Sequence, residues 1–288
     1  MIKKGIILAG GSGTRLSPLT KAVNKQLLPI YDKPLIFYPL SILMLANIKN
    51  ILMIVNPGQI DNFKSLLGDG RRFGIKIQYK IQKKPKGLAD AFILGKNFIN
   101  EDNVALILGD NFFYGQSLTD KLQKSLLHDN GARIFLKKVK TPENFGVAKI
   151  TQNKIEKIIE KPKKFVSNYA ITGLYFFDNK VIEYSKSLKP SKRGEIEIID
   201  LIMKYKKENK LSADFIHRGG AWLDTGSIED YYKTCAFVQA VENRQGLKIA
   251  CLEEISLNNK WIDKKKIKKQ IKFYGNCEYS NYLKKIIN

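Results

Sequence analysis

The sequence has little cysteine, and this scarcity excludes two kinds of small stabilised domain. Cys235, Cys251 and Cys277 are its three cysteines in 288 residues, and they form no Cys-x-x-Cys pair. An odd number at such spacings argues against a disulfide framework and against a structural zinc site. The same usage is typical of a reducing compartment, so we predict a cytoplasmic protein.

The sequence also lacks an apolar run long enough to span a membrane. Residues 35–48 form the longest run and are interrupted by Pro39, whereas a spanning helix needs roughly 20 apolar residues. Near the amino terminus, glycines end the apolar run from Ile6 too early for a signal-peptide core. We therefore predict no membrane partner.

Acidic residues are scarce relative to basic ones. Fifty Lys and Arg against 27 Asp and Glu give a formal net charge of +23, and such an excess favours anionic partners. The lysines are scattered, however, and only residues 263–272 form a dense run. Nucleic-acid-binding proteins concentrate their charge on one face and interleave stacking aromatics, so we predict no nucleic-acid partner.

The hydrophobic pattern predicts an α/β fold. Apolar, β-branched runs at 6–9, 51–55, 75–81 and 104–108 alternate with helical segments from Pro34, Gln59 and Leu88, as in a parallel sheet with crossover helices. Residues 133–177 hold four strands in quick succession, which predicts an antiparallel or mixed extension. Helical periodicity returns at 196–207 and 227–242, and the lysine-rich tail beyond Gly246 is only partly periodic. We predict a Rossmann-like, mostly parallel central sheet flanked by helices.

The first loop carries a candidate phosphate site. Residues 5–18 read GIILAGGSGTRLSP, and a glycine loop after a strand exposes backbone N–H groups to phosphate oxygens. A GxGxxG fingerprint would need glycine in place of Leu16, and GxxxxGK[ST] is absent. Arg15, which suits bidentate phosphate contact, distinguishes this loop. From the loop alone, a phosphate site and a tight turn with a solvent-facing arginine both remain open.

Later motifs carry a family resemblance. The segment LAGGSGTRLSPLTKAVNKQLLPIYDKP is followed in order by LLGDG, QYKIQKKPKGLADAF, LGDNFFYG, EKP, SNYAITGLYFFDN, RGEIEIID and AWLDTGS. With these blocks the sequence resembles the sugar-1-phosphate nucleotidyltransferases over nearly its whole length, and among them those that use dTTP.

The resemblance implies an activity and a domain plan. Glucose 1-phosphate would attack dTTP by Mg²⁺-dependent in-line displacement, giving dTDP-glucose and pyrophosphate, as the first step of dTDP-L-rhamnose or related deoxysugar biosynthesis. A uridylyl- or cytidylyltransferase acting on a hexose 1-phosphate is the alternative, because base choice rests on few contacts. The implied core spans 1–230, with a nucleotide-binding half at about 1–110 and a mixed-sheet, sugar-binding half at about 111–230. A helical extension at 231–288 would build a homotetramer.

The resemblance also implies five catalytic residues. Arg15 and Lys25 match the pair that holds the β- and γ-phosphates and the departing pyrophosphate, and Lys161 matches the lysine that steers the sugar phosphate. Asp110 and Asp224 match the two Mg²⁺ ligands. Asp110 also directly follows the apolar run VALILG, and ligands of open α/β sheets gather at such strand ends.

The binding residues implied by the resemblance form three sets. The nucleotide set is Leu8, Gly10, Gly11, Gly13, Thr14, Arg15, Gln26, Gln82, Gly87 and Asp110. The sugar set is Leu88, Phe145, Gly146, Glu160, Lys161, Ile171, Glu197 and Trp222. A second, feedback-inhibitory site would draw on Tyr114, Gly115, Arg218, Gly219 and Glu254. Phe145 and Ile199 stand where the family usually has Tyr and Thr, and each removes a hydroxyl near the sugar.

Overall fold

Strands and crossover helices alternate through the first half of the chain. The computed structural model describes residues 2–11, 13–127, 130–152 and 154–288. Its strands are β1 (Lys4–Ala9), β2 (Pro29–Ile30), β3 (Lys33–Pro34), β4 (Asn50–Val55), β5 (Lys76–Ile81), β6 (Val104–Leu108), β7 (Asn111–Gly115), β8 (Ala132–Lys138), β9 (Gly146–Thr151), β10 (Lys154–Glu160), β11 (Tyr169–Phe177), β12 (Leu211–Ile216) and β13 (Gly220–Asp224). Its α-helices are α1 (Phe37–Leu45), α2 (Ile60–Leu67), α3 (Asp90–Leu94), α4 (Lys96–Ile99), α5 (Leu118–Leu126), α6 (Val181–Ser187), α7 (Ile198–Lys207), α8 (Ile228–Gln245), α9 (Leu252–Asn258), α10 (Lys264–Tyr274) and α11 (Glu278–Ile287).

The central sheet joins a parallel half to an antiparallel half. In the parallel half β6, β1, β4 and β5 lie side by side, and parallel neighbours require crossover connections, which the helices between them supply. One edge of β11 pairs antiparallel with β6 and, further along, with β9, which pairs with β10. The other edge of β11 pairs antiparallel with β8, which in turn pairs parallel with β12. The predicted fold class, a mostly parallel sheet with a mixed extension, is confirmed.

The core lies on both faces of the sheet. Along β1, Ile7 and Ala9 belong to one hydrophobic cluster and Ile6 and Leu8 to the other, because successive strand residues point to opposite faces. The first cluster includes residues of α1, α2 and α5, and the second includes residues of α3, α6 and α7. Because β1, β4 and β6 are buried on both faces, they read as nearly continuous apolar runs, whereas the edge strand β5 alternates apolar with polar residues.

The four parallel strands were predictable nearly to the residue, but other elements were not. The helix predicted from Pro34 begins only at Phe37, because β2 and β3 pair as a short hairpin at residues 29–34. The short or half-buried elements β7, β12, β13, α5 and α6 lack the long periodic pattern that predicts a strand or helix.

The lysine-rich tail is more regular than its periodicity suggests, since it forms α9, α10 and α11. These helices enclose a small apolar cluster of their own, with Ile267 from α10 and Leu283 from α11 fully buried. Buried Glu253 of α9 anchors it by accepting hydrogen bonds from Tyr274 Oη at 2.8 Å and Tyr279 Oη at 2.7 Å. The lysines of α10 lie on its other, solvent-facing side.

The first helix is the long apolar run of the sequence, and it is buried in the core. None of the helices in the described ranges combines the length and the hydropathy that crossing a membrane requires.

A buried charge cluster ties α8 to the hairpin β2–β3. Lys33 Nζ donates to Glu242 Oε1 at 2.9 Å, and the same oxygen accepts from the backbone N–H of Ile249 at 2.8 Å. Asp32 bridges Lys33 and Lys248. Lys33 and Glu242 are 3% and 6% exposed, so loss of either charge leaves the other with little solvent.

Glu242→Gln removes one charge from this cluster. We expect the free energy of unfolding to fall by about 3 kcal/mol, at the low end for a broken buried pair because Asp32 still faces Lys33. Urea unfolding measures the change, with Glu229→Gln as the control, since Glu229 pairs with Lys233 on the exposed side of α8. Equal effects of the two substitutions would contradict a buried role for Glu242.

Candidate active site

Four polar segments meet at one edge of the parallel sheet. The glycine loop follows β1, Asn56 follows β4, Gln82 follows β5 and Gly109–Asp110 follows β6. Parallel strands end at a common edge, where open α/β sheets bind ligands. A cavity of about 200 Å³ opens there, and its lining is Leu8, Gly10, Gly11, Gln26, Gln82, Pro85, Gly87, Leu88, Leu108, Asp110 and Glu195. Most of the predicted nucleotide set therefore lies together.

The glycine loop is held in shape by its neighbours. Gly11 has a φ of +106° and exchanges two hydrogen bonds with Asn56, whose Nδ2 donates to Gly11 O at 2.8 Å and whose Oδ1 accepts from Gly11 N at 3.2 Å. Gly13, at a φ of +60°, accepts from Thr20 Oγ1 at 2.8 Å. Thr14 and Arg15 follow in an exposed 3₁₀ turn. The loop thus presents its arginine to solvent from a fixed base.

Lys25 and Gln26 enter the site from a second 3₁₀ turn. Asn24 caps this turn, since its side chain accepts from the N–H of Gln26 at 2.9 Å. Gln26 is 3% exposed, and its Oε1 has no hydrogen-bond partner among the described residues. A buried acceptor without a partner favours a donor from a bound ligand.

Asp110 is fixed by two donors. Lys25 Nζ lies 2.7 Å from its Oδ2, and Asn111 Nδ2 donates to its Oδ1 at 2.9 Å. Burial alone would raise the pKa of Asp110, but the charge and hydrogen bond of Lys25, with the bond from Asn111, lower it below its ordinary value. Asp110 is therefore an anion at neutral pH.

Asp224 reaches the same place through a strand pair. β13 runs antiparallel to β7, with Asp224 opposite Asn111. Thr225 then donates to Asp110 O from its N–H at 3.2 Å and from its hydroxyl at 2.9 Å. Two distant aspartates therefore converge because β7 and β13 fix their register.

The convergence leaves negative charge only partly compensated. Burial and the charge of Asp110 raise the pKa of Asp224 to about 6, while Lys25 and Arg15 lower it to a smaller extent. A Cβ at Gly226 would lie 2.9 Å from Asp224 Oδ1 and 3.1 Å from Arg15 Nη2, so a larger residue there would crowd the ends of both side chains. The structure thus gathers the predicted Arg15, Lys25, Asp110 and Asp224.

Aromatic rings form one wall beside the aspartates. Phe145 and Trp222 pack with ring centroids 5.1 Å apart, and Trp222 Nε1 donates to Asn111 Oδ1 at 2.7 Å. A Cβ at Gly146 would lie 2.9 Å from both Glu160 Oε2 and Ile199 Cδ1. Four of the predicted sugar residues, Phe145, Gly146, Glu160 and Trp222, therefore lie close together, and the apolar tip of Ile199 lies beside Gly146.

Glu160 and Lys161 differ in their surroundings. Burial raises the pKa of Glu160, and Glu197 adds to the rise, against the opposing charge of Lys161. Lys161 is exposed with a φ of +42°, and its N–H donates to Phe145 O at 3.0 Å. Within the described ranges no hydrogen bond or ion pair holds its ammonium group, which leaves that group available to a ligand.

The remaining predicted sugar residues lie in three separate parts of the chain, one on a strand and two in connecting segments. Ile171 is buried on β11, and Leu88 lines the cavity. Glu197 accepts from Ser191 Oγ at 2.7 Å and from Arg193 Nη2 at 2.9 Å. Its carboxylate is thus already engaged by its own loop.

Gly87 is required by the protein backbone itself. It has a φ of +94°, and a Cβ there would lie 2.4 Å from Ile196 O. The N–H of Ile196 donates to Lys86 O at 2.7 Å. A larger residue at position 87 would therefore collide with the backbone before α7, and glycine lets the cavity wall pack against that segment.

The predicted effector residues fall into two groups. Tyr114 and Gly115 end β7 beside Gly219, because Gly115 pairs with Gly220 and a Cβ on Gly115 would lie 3.2 Å from Gly219 O. Arg218 is exposed in the same turn. Glu254 lies on α9, where it accepts from Tyr282 Oη at 2.6 Å. No hydrogen bond joins Glu254 to the other four within the described part of the chain.

Four polar residues of the site were not predicted from the sequence: Asn56, Asp90, Asn111 and Thr225. Asn56 had the same signal as Asp110, a polar residue directly after a buried strand, and Asn111 and Thr225 adjoin the predicted aspartates. Asp90, which accepts from Gln82 Nε2 at 2.9 Å, had no comparable signal.

Comparison with known proteins gives the class. The family model described as nucleotidyl transferase matches residues 4–241, and the chain belongs to this family. It is 51% identical over 285 residues to the glucose-1-phosphate thymidylyltransferase of Neisseria meningitidis serogroup A, with 99% of each chain covered.

Solved structures agree with this class. One is a crystal structure of a Bacillus anthracis protein that is named as a glucose-1-phosphate thymidylyltransferase and is in complex with a sucrose. It superposes with a TM-score of 0.76 at 40% identity, covering 81% of this chain and 94% of that one. A UDP-glucose pyrophosphorylase complexed with UDP-glucose has a TM-score of 0.72 at 26% identity, covering 85% of this chain and 100% of that one.

Asn111→Ala tests the link between the aspartates and the aromatic wall. It leaves two buried donors, Trp222 Nε1 and the N–H of Gly173, without their shared acceptor. We expect a loss of about 3 kcal/mol in unfolding free energy and about a tenfold loss in catalysed pyrophosphate release. The control is Asn281→Ala on the exposed side of α11, and a similar result for both variants would refute the link.

Proposed function

We propose that the protein transfers the thymidylyl group of dTTP to glucose 1-phosphate, forming dTDP-glucose and releasing pyrophosphate. The observation that carries this proposal is the convergence of Arg15, Lys25, Asp110 and Asp224 at the carboxyl edge of the parallel sheet. The full-length relative from Neisseria meningitidis bears the name of this activity. The matching chemistry is the meeting of two anions, which requires charge neutralisation and positioning.

Arg15 and Lys25 would neutralise the triphosphate. Arg15 projects from an exposed turn beside the cavity, and Lys25 lies buried against Asp110. A phosphate oxygen of the sugar forms a bond to the α-phosphorus, and the bond from that phosphorus to the bridging oxygen of pyrophosphate breaks. Because the sugar phosphate attacks the α-phosphorus directly, no covalent enzyme intermediate is needed. The two cations would hold the departing pyrophosphate.

Asp110 and Asp224 would hold a Mg²⁺ ion, whose charge would polarise the phosphate oxygens when it is bound. They fit this role because their two carboxylates converge with negative charge that Lys25 and Arg15 compensate only in part, as the raised pKa of Asp224 indicates. No group of three or more His, Cys, Asp or Glu side chains suited to a metal occurs among the described residues. That matches Mg²⁺, which binds proteins through one or two carboxylates and takes its other oxygens from phosphates and water.

Lys161 and the aromatic wall would position the sugar phosphate. Lys161 carries an exposed ammonium group directly after β10, and Glu160 beside it offers carboxylate oxygens to sugar hydroxyls. Phe145 and Trp222 would cover one face of the sugar ring. Ile199 offers an apolar contact close to Gly146.

We further propose that residues 231–288 serve assembly and regulation in a homotetramer inhibited by a deoxythymidine-linked sugar. Exposed apolar side chains on and after α8, Tyr232 at 61% and Leu247 at 55%, support an interface there. A monomeric mass in solution would refute the assembly, and unchanged turnover with dTDP-rhamnose would refute the inhibition.

A substrate panel tests the activity directly. Pyrophosphate release is measured with Mg²⁺ for dTTP, UTP, CTP, ATP and GTP, each with several sugar 1-phosphates. We expect the highest kcat/KM for dTTP with glucose 1-phosphate. A higher value for UTP or CTP would favour the alternative transferase, and no release with any pair would reject the class of reaction.

Asp110→Asn tests the charge of the proposed metal ligand. We expect turnover to fall by about two orders of magnitude or more, with the circular dichroism spectrum unchanged. Asp120→Asn, on the exposed side of α5, serves as the matched control and keeps full turnover. Near-normal turnover of Asp110→Asn would show that its charge is not used.

The raised pKa of Glu160 predicts that sugar binding depends on pH. Because its pKa is raised above 4.5, the carboxylate becomes protonated while the pH is still above that value, and it then loses charge and an acceptor. We expect the KM for glucose 1-phosphate to rise as pH falls through this raised pKa. In Glu160→Gln we expect this KM to be high at every pH and to lack the rise due to Glu160. Titration of the sugar phosphate itself affects the wild type and the variant alike. If the KM of the two proteins changed with pH in the same way, Glu160 would not be the group that causes the pH dependence of sugar binding.

A further inference from the structure

Gln82 and Asp90 form a buried pair at the back of the nucleotide cavity. Gln82 follows β5 and Asp90 begins α3, and each is 7% exposed. Gln82 Nε2 donates to Asp90 Oδ2 at 2.9 Å. No cation forms an ion pair with Asp90 within the described residues, so this buried carboxylate depends on the glutamine amide.

The pair fixes which end of the amide faces the cavity. A carboxylate accepts hydrogen bonds and cannot donate them, whereas an amide has a donor end and an acceptor end. With Nε2 turned to Asp90, Oε1 points the other way, and a Cβ at Gly10 of the glycine loop would lie 3.3 Å from it. Rotating the amide by half a turn would set oxygen against oxygen in a buried place, which is costly.

We propose that Asp90 is a positioning residue that makes the cavity selective for pyrimidines carrying an N–H at ring position 3. This inference rests on the proposed function, in which the cavity holds the base of the nucleotide. Thymine and uracil present that N–H to an acceptor, whereas cytosine presents a lone pair at the same position. Gln82 Oε1 therefore accepts from thymine or uracil and opposes cytosine.

The pairing explains why an acid stands at this position. An unpaired buried carboxylate destabilises a fold unless it is hydrogen-bonded, and a neutral partner would not hold the amide in one orientation. An asparagine at position 90 could turn either its oxygen or its NH₂ group towards Gln82. Both orientations of Gln82 would then be satisfied, and the cavity could match cytosine as well as thymine.

Asp90→Asn tests the proposal through a ratio of substrates. The quantity is kcat/KM for dCTP divided by kcat/KM for dTTP, with glucose 1-phosphate and Mg²⁺. We expect the ratio to rise about tenfold or more, chiefly through KM, because a site built around one hydrogen-bond pattern loses that discrimination. Asp90→Glu, which keeps a carboxylate acceptor, retains the wild-type ratio.

The matched control is Asp178→Asn. Asp178 is also a buried aspartate, 4% exposed, and it accepts from Gly131 N and Tyr205 Oη, both at 2.7 Å. Its substitution lowers the unfolding midpoint and leaves the substrate ratio unchanged. A ratio that is unchanged in Asp90→Asn, with all nucleotides weakened alike, would overturn the proposal and make Asp90 a structural residue.

Two further measurements separate this proposal from the function on which it rests. Wild-type protein that releases no pyrophosphate from dTTP defeats the proposed function, and calorimetric binding of dTTP and dCTP then still tests selection of the base. If Asp90→Asn fails to fold, the proposal is tested by nucleotide binding to the wild type alone. We expect it to bind dTTP and UTP about a hundredfold more tightly than dCTP, and equal binding of dCTP would contradict an amide fixed by Asp90.

Discussion

The antiparallel pairing of β7 with β13 is the constraint on which the site depends. It places Asp224 opposite Asn111, beside an aspartate that lies more than a hundred residues earlier in the chain. Thr225 then bonds the backbone of Asp110, and Asn111 joins that carboxylate to Trp222. One strand pair thereby sets the spacing of the two carboxylates and of the aromatic wall.

The parallel sheet supplies the other half of the site. Its strands end at one edge, so the glycine loop, Asn56, Gln82 and Asp110 meet there although they come from separate parts of the chain. The site also concentrates groups that are unfavourable by themselves, namely Gln26 Oε1, which has no hydrogen-bond partner in the part of the chain that the structure describes, and Asp224, which lies next to another acid. Such groups are costly in a folded chain and are the ones a charged, polar ligand would satisfy.

The sequence predicted the parts of the molecule that depend on long periodic runs. The buried strands β1, β4 and β6 are nearly continuous apolar runs, the edge strand β5 alternates apolar with polar residues, and Asp110 follows β6. The pairing of β7 with β13 was not predictable, because it joins two short strands that lie far apart in the sequence. Asp90 was also missed, since its contact with Gln82 is made only when the segment between β5 and α3 folds back on itself.

We propose that Asp110 and Asp224 together hold the metal that binds the triphosphate, and calorimetric titration of dTTP is the most direct test. It is carried out with and without Mg²⁺, in the wild type and in Asp224→Asn. We expect Mg²⁺ to tighten dTTP binding about tenfold or more in the wild type. In the variant we expect this gain to be lost, while the metal-free binding due to Arg15 and Lys25 survives. An undiminished gain in Asp224→Asn would show that Asp224 does not hold the metal.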